Sequence, residues 1–438
     1  MTNKSKYQLI CGLEIHAELK NQSKMFCSCK NDPFGADKPN IHTCPVCLGM
    51  PGGLPVANKK AIEWTIKLGL ALNCKINLFS KFDRKHYFYP DLPKGYQISQ
   101  YDIPFCEGGW VETSQGRVEI TRVHLEEDTG KLLHKEIDGK KVSLVDFNRG
   151  GVPLIEIVTE PDIKSANQAK EFGKKLRQII RYLEIGNCNM EQGGMRLEAN
   201  VSLTSDGKLP DYKTEVKNIN SFRFLEQAIE YETERQTKLL DKGESPVQET
   251  RGFDATKGST FSQRVKETAA DYRYFPDPDL PPIRFAKEDI ERLQVGLPEL
   301  PEQIQARWQE EYGLDQEVTN LLVTTSSRSE LLEEVWQIAQ KNETNLKKIT
   351  VWIINNLELL TPTTWADQIF GKYMDQTKTT QIDESELIKV VKQVFENNPQ
   401  ETARYKAGEK KLLGFFIGQV KKIVGNKADA KQIIDAID

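Results

Sequence analysis

The stretch Met195-Arg-Leu-Glu-Ala-Asn-Val-Ser-Leu203 alternates apolar and polar side chains without a break. Side chains of a β-strand point alternately to its two faces, so one face of this segment is apolar and the other is polar and includes Glu198. Residues 9–19 show the same period, with Glu14 and His16 on the polar face. Both segments predict half-buried antiparallel strands, and together they predict a sheet with one ionisable face.

Further strand patterns place single carboxylates among apolar neighbours. Residues 118–128 carry Glu126 on the polar side, and Glu156 lies within Leu154-Ile-Glu-Ile-Val158. An isolated buried carboxylate is costly, so Glu156, if it is buried, must be paired, protonated or bound to a metal. Oxygen ligands from several strands are what Mg²⁺ prefers, and Mg²⁺ indicates phosphate chemistry. For any single strand, the polar face can equally be the solvated side of the sheet.

Helical periods separate the strands. We predict helices over 62–70, from Ser165 to Gly186, and from Ser221 toward Gly243. After Pro282 strand patterns stop and helical patterns follow. The sequence therefore predicts an α+β fold with an antiparallel sheet domain at 1–286, an all-α helical domain at 287–365 and a small helical tail domain at 376–438.

Length and composition limit the class of protein. The chain has 438 residues, of which 38% are hydrophobic and 28% charged, and its formal charge is −4. These values are typical of a soluble globular protein and exclude one with a wholly basic surface. No apolar run approaches the ~20 residues that a membrane span needs. The short polar N-terminus leaves no room for a signal peptide, so we expect a cytoplasmic protein.

Four cysteines are crowded into one short stretch. Cys27 and Cys29 form one close pair, and Cys44 and Cys47 form another. Four thiolates at such spacings can bind Zn²⁺ tetrahedrally, and with no open position the ion would be structural. Disulfides are the alternative, which a reducing compartment disfavours. The other cysteines are expected to be small buried residues: Cys11, Cys74, Cys106 and Cys188.

A basic, aromatic segment spans residues 81–100 and supplies Arg84, Lys85 and Lys94. Such cations can bind the oxygens of a transferred phosphoryl group. The sequence has no glycine-rich phosphate loop or dinucleotide fingerprint before a helix, which argues against a P-loop or Rossmann site. The segment could instead be a surface loop ordered by packing of its tyrosines and prolines.

Long motifs throughout the chain closely resemble the B subunits of the aspartyl/glutamyl-tRNA amidotransferases. The motifs are Gly12-Leu-Glu-Ile-His16, the two cysteine pairs, residues 81–100, His124-Leu-Glu-Glu-Asp128, residues 152–162, Lys217-Asn-Ile-Asn-Ser-Phe-Arg223, Gln248-Glu-Thr-Arg251, Asp271-Tyr-Arg-Tyr-Phe-Pro276 and residues 414–422.

The resemblance implies a cradle-shaped antiparallel sheet related to glutamine synthetase, then a helical domain and a tail that grips tRNA. It implies phosphorylation by ATP, with Mg²⁺, of Glu mischarged on tRNA(Gln) or Asp mischarged on tRNA(Asn). Ammonia from a partner amidase, which is a glutaminase, then forms the amide, and a small third subunit completes a heterotrimer. Alternatives are a zinc-stabilised RNA-binding scaffold and a free-standing amide ligase.

The resemblance also implies roles for single residues. Metal ligands would be Glu14, His16 and Glu126, with Glu156 and Glu198 as further catalytic candidates. Phosphate-binding candidates are Arg84, Lys85, Lys94, Lys217 and Arg223.

The chain departs from the family pattern at three positions. Glu198 replaces a commoner Asp, Val265 stands where Ser is usual, and Ala270 stands where His is usual. The chain is also somewhat short in the helical region and tail, which bears on the extent of tRNA contact. Lysines of that tail that could meet RNA phosphates are Lys410, Lys411, Lys421, Lys422 and Lys427.

Overall fold

The computed structural model describes residues 6–265, 272–361, 363–377, 382–425, 428 and 430–437. Ala270, which departs from the family pattern, and Lys427 of the tail lie outside the described residues. The chain forms two compact units, Met1–Ser326 and Ser327–Asp438, and each is described by itself. In the part of the chain that the structure describes, no helix is both long and apolar enough to cross a membrane.

The first unit contains all the described strands. Their bounds are β1 Gln8–Glu18, β2 Lys75–Ile76, β3 Phe79–Ser80, β4 Asp83–His86, β5 Tyr96–Ser99, β6 Cys106–Glu107, β7 Trp110–Thr113, β8 Gly116–Glu127, β9 Lys131–Ile137, β10 Lys140–Asp146, β11 Pro153–Thr159, β12 Met195–Thr204, β13 Thr214–Ile219, β14 Glu249–Asp254, β15 Ser259–Val265, β16 Phe275–Pro276 and β17 Ile283–Arg284. The strands predicted from alternation are thereby confirmed as β1, β8, β11 and β12.

Helices cover the sheet in the first unit and make up the second. Their bounds are α1 Lys59–Ala71, α2 Ala166–Tyr182, α3 Phe222–Asp241, α4 Lys287–Val295, α5 Pro301–Tyr312, α6 Gln316–Leu322, α7 Ser326–Lys341, α8 Leu346–Ile354, α9 Ala366–Thr377, α10 Glu384–Asn397, α11 Pro399–Lys406, α12 Leu413–Val424 and α13 Ala430–Ile437. Short 3₁₀ helices span Leu357–Leu359 and Lys410–Leu412.

Two helix starts follow the predicted capping chemistry. The Ser165 hydroxyl accepts a hydrogen bond from the Gln168 amide, and the Ser221 hydroxyl accepts one from the Phe224 amide, both at 3.0 Å. Each bond satisfies an amide that the first helical turn leaves without a partner. The predicted helices at these two positions are confirmed as α2 and α3.

The main sheet has the order β15-β14-β13-β12-β1-β11-β8-β6-β2, with β7 paired to β8. Its described pairs are antiparallel except β13 and β14, which run parallel. The prediction of an antiparallel sheet missed this pair. Helix α3 connects the two strands, and a helical crossover brings the chain back to the same end of the sheet.

The apolar face of the sheet and the inner faces of α1, α2 and α3 form one core. Leu13 and Ile15 of β1 and Leu197 of β12 are at most 1% exposed. The scattered cysteines are buried as expected. Because the core lies on this side, the opposite face of the central strands is left for polar side chains.

In the second unit, α10, α12 and α13 share a separate small core. Phe416 and Val420 of α12 and Ile433 of α13 are fully buried. The lysines of α12 lie in its last turn and are exposed, as the sequence predicts for a charged helix face.

Candidate functional site

The centre of the site is a row of ionisable side chains across three neighbouring strands. Antiparallel pairing places His16 of β1 opposite Glu156 of β11, and Glu156 opposite His124 of β8. Glu156 Oε2 lies 3.3 Å from His16 Nε2 and 3.4 Å from His124 Nε2. The carboxylate that the sequence required to be partnered is therefore held between two imidazoles.

Two more carboxylates flank His16. Its Nε2 lies 3.8 Å from Glu126 Oε1 and 3.9 Å from Glu14 Oε1. The Ser99 hydroxyl donates a hydrogen bond of 3.0 Å to Glu126. Four of the five predicted catalytic residues therefore converge, although Glu14 and His16 of β1 lie more than a hundred residues before Glu126 and Glu156 in the chain.

Burial and mutual charge set the pKa values in this row. Burial alone would lower the pKa of His16, but its hydrogen bond to Glu156 and the nearby carboxylates raise it to about 9. Burial and the charges of Glu156 and Glu198 raise the pKa of Glu14 to about 7. Burial would also raise the pKa of Glu156, but His124 and His16 hold it well below its usual value. Several carboxylates thus act on the same few side chains, and a bound cation would offset their mutual repulsion.

A second carboxylate group adjoins the first. Ligand atoms of Glu14, Glu198 and Glu215 lie within 4.8 Å of one another. Lys217 Nζ lies 2.6 Å from Glu198 Oε2 and 3.7 Å from Glu215 Oε1. The longer side chain of Glu198 therefore reaches Lys217, and Glu14 belongs to both groups.

These donor sets fit a divalent cation. Further triads within the same distance are Glu14, His16 and Glu156, and His124, Glu126 and Glu156. Carboxylate oxygens dominate, as Mg²⁺ requires, and the two imidazoles add nitrogen donors at one side.

Sequence reasoning did not assign roles to His124 and Glu215. The period of residues 118–128 already placed His124 on the same strand face as Glu126. Glu215 is two residues before Lys217 in β13 and faces the same way. Strand pairing, which the sequence does not reveal, brings both to the cluster.

The predicted phosphate-binding cations have different surroundings. Burial lowers the pKa of Lys85, but the charges of Glu126 and Glu156 outweigh this and raise it well above its usual value, so Lys85 lies beside the carboxylate row. Arg84 Nε lies 2.8 Å from Asp277 and its Nη2 lies 2.9 Å from Asp279. The guanidinium of Arg84 is therefore used to tie β4 to the segment after β16.

Of the other two candidates, Lys94 is bound to an acidic side chain and Arg223 is exposed. Lys94 forms an ion pair with the buried carboxylate of Glu127. Arg223 lies exposed in the first turn of α3. The exposed guanidinium of Arg223 can turn toward a ligand, whereas the ammonium of Lys94 is held in place by Glu127.

The four clustered cysteines also converge. The Sγ atoms of Cys27, Cys29, Cys44 and Cys47 lie within 4.8 Å of one another. Cys47 Sγ lies 3.8 Å from Cys44 Sγ and accepts a hydrogen bond from the Cys44 amide at 3.1 Å. The hydrogen bond from Cys27, with the Cys44 amide and the charge of Lys24, lowers the pKa of Cys47 to about 5 against the effect of burial. This all-sulfur set fits a tetrahedral metal ion.

Comparisons with known proteins agree with the motifs. Residues 9–291 match the model of the GatB/GatE catalytic domain, and residues 364–438 match the model of the GatB domain. A protein of Thermodesulfovibrio yellowstonii, named as the B subunit of aspartyl/glutamyl-tRNA(Asn/Gln) amidotransferase, is 46% identical, over 99% of this chain and 98% of its own length. A protein of Persephonella marina with the same name is 44% identical over 98% of both chains. Since the match covers nearly the whole chain, this protein belongs to the family of aspartyl/glutamyl-tRNA(Asn/Gln) amidotransferase B subunits.

Proposed function

We propose that this chain transfers phosphate from ATP to the side-chain carboxylate of Glu-tRNA(Gln), Asp-tRNA(Asn) or both. The acyl phosphate is then converted to the amide by ammonia. The products are Gln-tRNA(Gln) and Asn-tRNA(Asn). The observation that carries this proposal is the convergence of Glu14, His16, Glu126 and Glu156 on one sheet face.

The chemistry accounts for these residue types. A free carboxylate is a poor acyl donor because its leaving group would be oxide, so it must first be phosphorylated. Mg²⁺ held by Glu14, His16 and Glu126, with Glu156 and Glu198 nearby, would neutralise phosphate charge. Glu156 fixes both imidazoles, so that His16 keeps one orientation when substrate binds. A rigid row of ligands needs little reorganisation during the reaction.

Cations complete the proposed phosphate site. Lys85 lies beside the carboxylate row, and Lys217 borders the second carboxylate group. We place the transferred phosphate between these two lysines, with Lys94 and Arg223 as further contacts. Arg84 has the least support, because Asp277 and Asp279 bind its guanidinium, whereas the acidic partners of Lys217, Glu198 and Glu215, belong to the second carboxylate group itself.

The metal of the cysteine cluster is proposed to be Zn²⁺. Four thiolates leave no open position for a substrate, so the ion would hold a loop that has few apolar residues of its own. Four sulfur donors favour Zn²⁺, whereas the carboxylate-rich set of the sheet face would favour Mg²⁺.

The domain plan proposed from sequence places catalysis at 1–286, with a helical domain at 287–365 and a tRNA-binding tail at 376–438. The two regions that match family models, 9–291 and 364–438, support the first and the last of these domains. We also propose that the main sheet is a cradle of the glutamine synthetase type. Its ionisable face, free of the helical covers, supports that proposal.

The ammonia for this reaction is proposed to come from glutamine. The name of the relatives, which calls them B subunits, supports an assembly of several different chains. We propose that an amidase chain hydrolyses glutamine, and that this amidase and a small third chain join the present one in a heterotrimer.

Reconstitution tests the proposal. The chain is combined with the amidase and the small third chain, and amide formation is scored on each mischarged tRNA with and without ATP. We expect ATP-dependent amidation of at least one of the two. Amidation that does not require ATP, or none on either tRNA, would contradict the proposed reaction. The same assay decides between the glutamyl and aspartyl substrates.

A further inference from the structure

A fully buried lysine lies directly behind the cysteine cluster. Lys24 is 0% exposed, and its ammonium donates a hydrogen bond of 3.0 Å to the Phe147 carbonyl. The same ammonium lies 4.0 Å from Cys47 Sγ. A buried charge is costly unless it is partnered, so this position for a lysine needs a negatively charged neighbour. A metal bound by four thiolates carries net negative charge and provides one.

The segment of Lys24 is tied to Gly151, whose own amide donates a hydrogen bond of 2.8 Å to the carbonyl of Asp128, the residue after Glu127. The Met25 amide donates a hydrogen bond of 2.7 Å to the Gly151 carbonyl. A methyl group placed on Gly151 would lie 3.5 Å from Lys24 Cδ, 3.6 Å from Cys47 Cβ and 3.9 Å from Glu127 Oε2. Lys24, Cys47 and Glu127 therefore pack around one glycine.

The cysteine loop also touches Lys94 itself. A methyl group placed on Gly49 would lie 2.5 Å from Lys94 Cγ and 3.1 Å from Lys94 Cα. No side chain can occupy that space unless Lys94 moves. Cys47 and Gly49, with Lys94 and Glu127, line a common cavity of about 120 Å³.

We propose that the cysteine-bound metal is a positioning element for the Lys94–Glu127 ion pair, with Gly49 as the contact and Lys24 as the buried link. The metal holds the loop against Lys94, and the loop holds Lys94 against Glu127. The ion pair of Lys94 with Glu127 then keeps one geometry. The inference rests on the proposed metal binding but not on the reaction assigned to the sheet face.

Two backbone amides report directly on this pair. The Ile98 amide donates a hydrogen bond of 3.0 Å to Glu127 Oε1, and the Gly95 amide donates one of 3.0 Å to the Leu92 carbonyl. Hydrogen exchange at these amides measures how firmly Lys94 and Glu127 are held. The measurement needs only the full-length, zinc-loaded chain and no substrate.

The first test substitutes two glycines of the same loop. Gly49 and Gly52 both have a positive φ, +65° and +84°, so alanine strains the backbone at either position. Only Gly49 abuts Lys94, because a methyl group on Gly52 meets nothing within 4 Å. We expect Gly49→Ala to raise exchange at Ile98 and Gly95 about tenfold, and Gly52→Ala to leave it near the wild-type rate. Equal effects of the two variants would overturn the proposed contact.

The second test removes the metal or its buried partner. Chelation of zinc from the wild-type chain is expected to raise exchange at Ile98 as Gly49→Ala does. Lys24→Met is expected to weaken zinc binding about tenfold in a chelator competition, whereas the exposed Lys20→Met should not. Unchanged exchange at Ile98 after chelation, unchanged zinc affinity of Lys24→Met, or a chain that binds no zinc would each overturn the proposal.

Discussion

Replacement of Glu18 by glutamine should stabilise this protein, and increasingly so as the pH rises. Glu18 ends β1 and is 8% exposed. It lies beside the buried carboxylate of Asp128, which already binds Arg196 at 2.8 Å. Burial, the charge of Asp128 and a hydrogen bond to it raise the pKa of Glu18 to about 8, although Arg196 and Arg149 oppose the rise. The two carboxyl groups therefore share a proton in the folded chain.

The direction in which stability changes with pH depends on whether the folded or the unfolded chain binds the proton more tightly. Between pH 4.5 and about 8 the folded protein keeps a proton on Glu18 that the unfolded chain has released. Stability therefore falls as the pH rises through this window and levels off above it. At ~1.4 kcal/mol for each pKa unit, a rise from 4.5 to about 8 corresponds to about 5 kcal/mol.

Glutamine has nearly the size of glutamic acid. Its amide can donate hydrogen bonds at every pH, whereas the acid can donate one only below its pKa. The Glu18→Gln variant should match the wild type near pH 4.5 and exceed it by about 3–5 kcal/mol at pH 8.5. Urea unfolding followed by circular dichroism at pH 5, 7 and 8.5 measures the difference. The exposed Glu191→Gln serves as control. A difference that stays constant or shrinks with pH would refute the shared-proton reasoning.

Three further predictions concern the site and the tail. Glu14→Gln should abolish ATP-dependent phosphorylation of the charged tRNA while leaving tRNA binding nearly intact, since Glu14 belongs to both carboxylate groups; undiminished turnover would exclude its metal role. The double replacement of Cys44 and Cys47 by serine should release the bound metal and lower the thermal midpoint, as measured by metal analysis and calorimetry; a metal-free wild-type chain of normal stability would count against it. Truncation after Asp375 should weaken tRNA binding and make its affinity less dependent on salt concentration. An unchanged salt dependence would show that the tail does not bind tRNA phosphates.

Local periodicity predicted the carboxylates of the sheet face well. Glu14, Glu126 and Glu156 lie on regular strands, where the alternation of side chains fixes the face that each one occupies. Their grouping on one face was therefore readable from sequence. The partners of Glu156 were not, because they depend on the register between β1, β11 and β8, which pairs residues far apart in the chain.

Long-range connections also explain why the parallel pairing of β13 with β14 was missed. Alternation is the same in parallel and antiparallel strands, so β13 gives no sign of its direction relative to β14. The direction follows from α3, which was predicted correctly as a helix but not as the crossover between these two strands.

The cations were harder to assign than the carboxylates, and the reason is physical. Arg84, Lys85 and Lys94 come from a segment with short strands and turns, where no period fixes the direction of a side chain. Which of them is left for phosphate depends on partners elsewhere in the chain. Arg84 is bound by Asp277, almost two hundred residues away, whereas Lys85 lies over the Tyr272 ring at 5.0 Å and is affected by the charges of Glu126 and Glu156. A long basic side chain can reach several partners, so its role is decided by tertiary structure. A carboxylate in a regular strand has a short side chain and a fixed face, and for that reason the acidic half of this site could be predicted and the basic half needed the fold.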